Sequence, residues 1–184
     1  MSKFALGLIE GFYGRQWTWG ERRNMADFIG QSGYSHYIYA PKGDRQLRSA
    51  WREPFSAEWL SELKRFGEHC HQARLKWGVG LSPMGLHEKY TPQDKAILQR
   101  ILAQLNTLNM DVLWLLFDDM RGDHLGLASN QCMVSADVAA EFSGALAVCP
   151  SYSSSDPVLD EVFGPRPPRY LADLGRGLAS DIDI

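Results

Sequence analysis

Short apolar runs alternate with segments of helical spacing along the chain, and this alternation limits the fold more than any other feature. The apolar runs lie at residues 4–9, 35–40, 77–81, 111–117 and 145–149. Between them stand helical patterns. Residues 18–30 open with Thr18 and Glu21, the spacing of a capping box, in which each side chain satisfies a free backbone N–H. Residues 56–74 carry Leu60, Leu63, Phe66 and Cys70 on one helical face. Thr91-Pro92-Gln93-Asp94 is a strong helix start, with a capping Thr, a Pro where no N–H is needed and an early acid. Ile97, Ile101, Leu105 and Leu108 then follow on one predicted face. A weaker helix is expected at 135–142 and a short one at 170–174, and Ser151–Ser155 reads as a loop. Asp181-Ile182-Asp183-Ile184 looks like the first residues of another strand. Strands alternating with helices imply a parallel α/β fold.

Two architectures satisfy that pattern: a doubly wound open sheet and a (β/α)8 barrel. No GxGxxG turn follows the first strand, which removes the main sign of a dinucleotide-binding sheet. Polar and aromatic residues gather instead just after each strand: Glu10-Gly11-Phe12-Tyr13, Lys42-Gly43-Asp44, Ser82-Pro83, Asp118-Asp119 and Ser151-Tyr152. The C-terminal ends of several strands are what a barrel active site is built from. At 45% hydrophobic residues the chain is rich enough to bury a core, and a net charge of -3 argues against a strongly basic nucleic-acid binder. No apolar run approaches the roughly 18 residues of a membrane helix. Met1-Ser2-Lys3 leads into an apolar stretch that soon meets Glu10, too short for an export signal, so a cytoplasmic location is expected. Cys70, Cys132 and Cys149 form no CxxC pair and read as buried free thiols.

Asp118-Asp119 is the sharpest chemical feature. Two carboxylates beside an apolar strand face a low-dielectric wall and each other. Both effects raise the pKa of at least one, which can then serve as a general acid. Adjacent strand residues point to opposite faces, so both can serve one site only if the strand has ended or twisted there. A solvated acidic turn is the plainer alternative. A third is a metal motif: Asp118 through Asp123 superficially resembles the Asp-rich magnesium–diphosphate motif of prenyl-transfer enzymes, although that motif sits on a helix. Glycines flanking Phe12 and Tyr13 let backbone approach a ligand, and aromatic faces suit sugar rings, though a structural turn explains them too. Lys42 could donate to a hydroxyl or an anion, or be a surface charge. Trp51-Arg52-Glu53-Pro54 suggests an Arg–Glu pair bracing its loop. His36, His69, His71, His87 and His124 show no HExxH or other metal spacing, and no GxSxG elbow or Cys/His pairing is present.

Glu10-Gly11-Phe12-Tyr13-Gly14 with Trp17, Tyr37-Ile38-Tyr39-Ala40-Pro41-Lys42, Trp51-Arg52-Glu53-Pro54, Ser82-Pro83, Phe117-Asp118-Asp119 and Cys149-Pro150, in that order, resemble the catalytic domain of glycoside hydrolase family 84. This is the family of O-GlcNAcases and bacterial β-N-acetylglucosaminidases. The resemblance runs from about residue 4 to the end. It implies a (β/α)8 barrel that hydrolyses terminal β-linked N-acetylglucosamine with retention of configuration, without cofactor or metal. The nucleophile is then the substrate's own 2-acetamido oxygen, an exception to the two-carboxylate scheme. By position, Asp118 is expected to orient the acetamido N–H and stabilise the oxazoline. Asp119 is expected to protonate the leaving oxygen and then activate water. Gly11 and Lys42 match sugar-contacting positions, and Tyr13 lines the pocket. The implied partner is a GlcNAc-bearing glycan, glycoprotein or oligosaccharide, with neither nucleic acid nor membrane.

The chain also departs from the family pattern. Gly43 stands where members generally have Asp. The pocket tyrosine expected after Cys149-Pro150 falls at Ser153, with Tyr152 one residue early, so either Tyr152 takes that role or the contact is missing. The stretch between Asp119 and Cys149 looks short for a full helical crossover. The family's next motif, an aromatic-Thr-Gly strand end, should begin just past Ile184, and the sugar-binding Trp, Asn and Asp residues lie beyond it. A closed barrel takes about 200 to 250 residues, so residues 1–184 read as a single, incomplete domain truncated after about five βα units. Open barrel edges would invite self-association. Two functional alternatives follow: an inactive fragment that at most binds glycan or a partner chain, and a metal-dependent phosphotransfer protein using Asp118 and Asp123.

Overall fold

The structure, a computed structural model, describes residues 5–184, so Phe4 of the expected first strand and Met1-Ser2-Lys3 lie outside the described residues. The elements are β1 (Gly7–Ile9), α1 (Trp19–Gln31), β2 (His36–Tyr39), a 3-10 turn (Arg45–Leu47), α2 (Ala57–Gln72), β3 (Lys76–Leu81), α3 (Pro92–Asn106), β4 (Val112–Leu116), α4 (Leu127–Glu141), β5 (Ala145–Cys149), α5 (Val158–Phe163) and α6 (Tyr170–Gly177). Every strand pairs in parallel with the next, in the order β1-β2-β3-β4-β5. A doubly wound sheet reverses its strand order at a switch point. This sheet never does, which is the order of a barrel wall. The strand expected near Ile182 begins where Asp183 bridges Ala147 in parallel, with Val148 N–H donating to the Asp183 carbonyl at 2.8 Å.

Strand alternation sorts the apolar residues onto two faces. Tyr37, Tyr39, Trp77, Val79, Leu113, Leu115 and Val148 belong to one large core with Ala26 and Ile29 of α1, Leu63 and Phe66 of α2, and Leu98 and Ile101 of α3. The other face carries the smaller cluster of Ile38, Ala40, Val112, Leu116 and Ala147, with Trp114 and Cys149 against it. Here β3 offers glycine. A Cβ on Gly80 would stand 2.6 Å from Ala40 Cβ and 2.7 Å from Leu116 Cδ1. Only a bare backbone lets the neighbouring strands' side chains close over it.

Local chemistry starts the helices. Thr18 and Glu21, and likewise Thr91 and Asp94, form reciprocal capping boxes, and Ser56 accepts from the Trp59 N–H. The first βα unit is also fastened internally. Glu10, fully buried, accepts two bonds from Arg22 Nε (3.1 and 2.9 Å), one from Arg22 Nη2 (2.7 Å) and one from the Tyr37 hydroxyl (3.0 Å).

Several expectations need correction. The buried stripe of α3 is Leu98, Ile101, Leu102 and Leu105, with Ile97 only half-buried at its margin. The crossover between Asp119 and Cys149 is not short, because α4 spans 15 residues and begins at Leu127 rather than near Ser135. A further helix, α5, stands in the loop after β5. Arg52 does not pair with Glu53. It binds Asp94 Oδ1 through Nε (3.1 Å) and Nη2 (2.9 Å) and the Met84 carbonyl through Nη1 (3.0 Å), so it ties its loop to the start of α3.

Candidate active site

The Asp118-Asp119 pair follows β4 directly. Phe117 N–H still donates to the Cys149 carbonyl at 2.9 Å, and the sheet then ends. Asp119 takes a left-handed backbone conformation, φ +59°. For a residue with a Cβ that conformation costs about 1 kcal/mol or more and is tolerated best by Asn and Asp. The reversal answers the geometric question of the sequence. Both carboxylates reach one cation: Lys42 Nζ is 2.5 Å from Asp118 Oδ2 and 2.7 Å from Asp119 Oδ2.

Lys42 arrives from the loop after β2, and its side chain is 6% exposed while the two carboxylates are about a third exposed. Burial works against its charge, but the two aspartates outweigh burial and hold its pKa above the ordinary lysine value. Tyr13, from the loop after β1, donates its hydroxyl to Asp119 Oδ2 at 2.9 Å. Arg48 Nη1 lies 3.7 Å from the same oxygen, and the guanidinium stands over the Tyr13 ring at 5.9 Å. At Asp119, burial pushes the carboxyl up, yet the bonds from Lys42 and Tyr13 and the charges of Lys42 and Arg48 prevail and hold it below its usual value. The expected raised acid is therefore not what this arrangement holds at Asp119. Lys42 keeps that group ionised.

Asp118 and Lys42 line a cleft of about 430 Å³ together with Ile9, Gly11, Phe12, Trp114, Leu116 and Cys149, while Asp119 and Tyr13 stand beside it without lining it. Asp118 Oδ1 is buried and has no hydrogen-bond partner, so an acceptor is left free beside the cleft. Burial, with the nearby aspartates, pushes the Cys149 thiol up to about 11. It is a protonated wall group and not a nucleophile.

The structure thus brings Gly11, Tyr13, Lys42, Asp118 and Asp119 together from three loops. It does not bring Tyr152 to them. Tyr152 is fully buried, donates to the Gly164 carbonyl at 2.7 Å and packs edge-on against Tyr170 at 5.4 Å, in a separate cluster with Leu127 and Leu174. In the loop after β5 its ring meets Phe163, Gly164 and Tyr170 of the α5–α6 segment, and it does not line the cleft. Glu10 and Asp44 are likewise structural: Asp44 Oδ2 accepts from the Tyr39 hydroxyl (2.8 Å) and from Trp59 Nε1 (3.0 Å). Asp123 is bound by Arg121, at 2.5 Å through Nη2. A divalent ion shared by Asp118 and Asp123 fits poorly, because a lysine ammonium already bridges the first and an arginine holds the second. Arg48 was not singled out from the sequence. Its only signal is a cation six positions past Lys42.

Comparison with known proteins gives a consistent result. The sequence profile of the beta-N-acetylglucosaminidase family matches residues 6–184. The Protein O-GlcNAcase sequences of Rattus norvegicus and Mus musculus are each 31% identical over 144 residues, 78% of this chain. The matched region spans only 15% of those relatives' length. Among solved structures, an Asp-to-Asn mutant of the Thermobaculum terrenum O-GlcNAc hydrolase superposes with a TM-score of 0.82 at 26% identity, covering 97% of this chain and 40% of that one. CpGH84B superposes with a TM-score of 0.79 at 25% identity, covering 97% and 32%.

Proposed function

This chain belongs to the β-N-acetylglucosaminidase family, glycoside hydrolase family 84, and we propose that its carboxylate pair hydrolyses terminal β-linked N-acetylglucosamine by substrate-assisted catalysis with retention. The observation that carries the proposal is the convergence of Asp118 and Asp119 on Lys42, at the rim of a cleft with one free carboxylate oxygen. Asp118 accepts a hydrogen bond from the substrate's acetamido N–H. This raises electron density on the acetamido oxygen, which attacks the anomeric carbon as the glycosidic bond breaks. Asp119 gives its proton to the departing oxygen. Water then opens the oxazoline, Asp119 takes a proton from that water, and the configuration is restored.

For Asp119 to hold a proton, Lys42 must leave it. A sugar hydroxyl entering the cleft offers Lys42 a new acceptor, and burial then lifts the Asp119 carboxyl toward neutrality. Substrate binding would in this way arm the acid. Gly11 leaves backbone room for the ring, and Tyr13 steadies Asp119 from the solvent side. A GlcNAc-bearing glycoprotein or oligosaccharide fits this cleft as substrate.

The test is hydrolysis of aryl β-N-acetylglucosaminides with leaving groups of differing acidity. Asp119→Asn should cost about 10²- to 10⁴-fold with a poor leaving group and far less with an activated one, which needs no acid. Asp118→Asn should cost a similar factor with both. Equal losses for the two substrates in Asp119→Asn would overturn the assignment. A second reading is favoured by the absence of Tyr152 from the cleft: a polypeptide that binds the sugar without turning it over. Saturable N-acetylglucosamine binding by folded protein that releases no aryl group would support it.

A further inference from the structure

The loops that carry the catalytic pair and Ser82-Pro83 also meet at a second place. His87 and Glu88 lie in the loop between β3 and α3, and His124 lies in the loop between Asp119 and α4. One ligand-capable atom from each lies within 4.8 Å of the other two. Glu88 Oε1 is 3.5 Å from His87 Nε2 and 3.9 Å from His124 Nε2. The two rings stand edge-to-face with centroids 5.9 Å apart.

These contacts are too long for good hydrogen bonds, and the imidazoles are otherwise poorly served. His87 is 4% exposed, and its Nδ1 has no hydrogen-bond partner. His124 Nε2, the nitrogen that faces Glu88, is also buried and unpartnered. A buried polar nitrogen left unpaired costs about 1–3 kcal/mol, and at His124 the unpaired nitrogen is the one turned toward Glu88, so it calls for a ligand inside this cluster. The separations suit one. A tetrahedral zinc ion with bonds of about 2.0–2.1 Å sets its ligand atoms roughly 3.3 Å apart, close to the two measured edges. Two imidazoles and one carboxylate are borderline donors that favour zinc over magnesium or calcium, which want all-oxygen shells.

We propose that His87, Glu88 and His124 form a zinc-type metal site that clasps the β3–α3 loop to the β4–α4 loop beside the active cleft. The site is distinct from the carboxylate pair, since none of its residues lines that cleft. Three protein ligands leave a fourth position for water. The anchorage behind it is already built: Asn130 Nδ2, on α4, donates to the backbone carbonyls of His87 (3.1 Å) and Glu88 (3.0 Å), so α4 holds the first loop in place.

The test is zinc titration of chelator-stripped protein by calorimetry, with cobalt(II) absorption as a second readout. The expected result is one zinc per chain, a cobalt spectrum with the intense d–d bands of four-coordination, and a zinc-dependent rise in Tm. His124→Gln should remove all three, and Glu88→Gln should weaken zinc binding at least tenfold. Both residues are partly exposed, so these variants should fold even where His87→Gln does not. Unchanged stoichiometry and affinity in His124→Gln and Glu88→Gln would overturn the proposal. So would weak, multi-site zinc uptake with no cobalt spectrum.

Discussion

Lys42 is the cation that both carboxylates of the site share. With Lys42 in place, Asp119 has a depressed pKa. Its pairing therefore stabilises the fold above the unfolded carboxylate value of about 3.9 and ceases to do so as pH falls through the lower folded value. Lys42→Met removes both the closest donor and the nearest charge. The Asp119 carboxyl should then titrate at higher pH than in the parent protein, measured by carboxyl carbon NMR on ligand-free samples. An unmoved titration would mean that Tyr13 and Arg48 alone hold the group ionised. The carboxylate pair was legible in sequence because two adjacent acids close an apolar run and stand in order with the other motifs of the family, whereas taken alone they would also fit a solvated turn. Its coupling to Lys42 was not, because it spans 76 residues and depends on the left-handed turn at Asp119. For Tyr152 the sequence left two outcomes open, a pocket tyrosine one residue early or a missing contact. It lies in the loop after β5, where no strand alternation fixes the direction of a ring, and its place in the cluster with Leu127, Tyr170 and Leu174 depends on packing far along the chain.

At the scale of elements, legibility followed how local the starting signal is. The capped helices α1, α2 and α3 announce themselves through side chains within three residues of their own backbone. Helix α4 starts after Gly126 with no side-chain cap, so its first two turns carried no marker. Packing between elements was not legible at all, and Gly67 shows why. It sits in the middle of α2, where glycine costs about 1 kcal/mol relative to alanine. A Cβ there would stand 2.3 Å from Cε2 and 2.5 Å from Cζ2 of the fully buried Trp77 ring on β3. Overpacking of this kind costs about 1–3 kcal/mol, and the ring has no room to retreat. Gly67→Ala should therefore lower stability despite the better helix former, read as a lower denaturation midpoint. A stabilised variant would mean that α2 rides more loosely on β3 than this contact implies. The first βα unit offers a companion case. Arg22→Met leaves Glu10 buried among apolar groups with only Tyr37 to serve it, and removing one partner of such a pair costs about 3–5 kcal/mol.

At the scale of the whole molecule, the five strands lie in barrel order with one face covered by helices and the other meant to face a closed interior. In a polypeptide of these 184 residues made by itself, that interior face is open. Ile9 is 44% exposed, and Gly7, Ile9, Ile38, Trp114 and Ala147 line a hollow of about 280 Å³. Beyond β5, Asp183 supplies a single parallel bridge. Among the described residues no strand pairs with the outer edge of β1. Unpaired backbone groups beside an apolar surface are a template for another strand, and a second copy of the same chain brings matching edges. This polypeptide should therefore self-associate as its concentration rises, read as a growing weight-average mass by sedimentation or light scattering. Ile9→Lys places a charge on both the exposed edge and the open face, and should shift the distribution toward monomer while the parallel sheet's circular dichroism persists. A parent chain that stays monomeric and melts cooperatively at high concentration would mean that the inner cluster of Ile38, Ala40, Val112 and Leu116 is enough to seal the sheet alone.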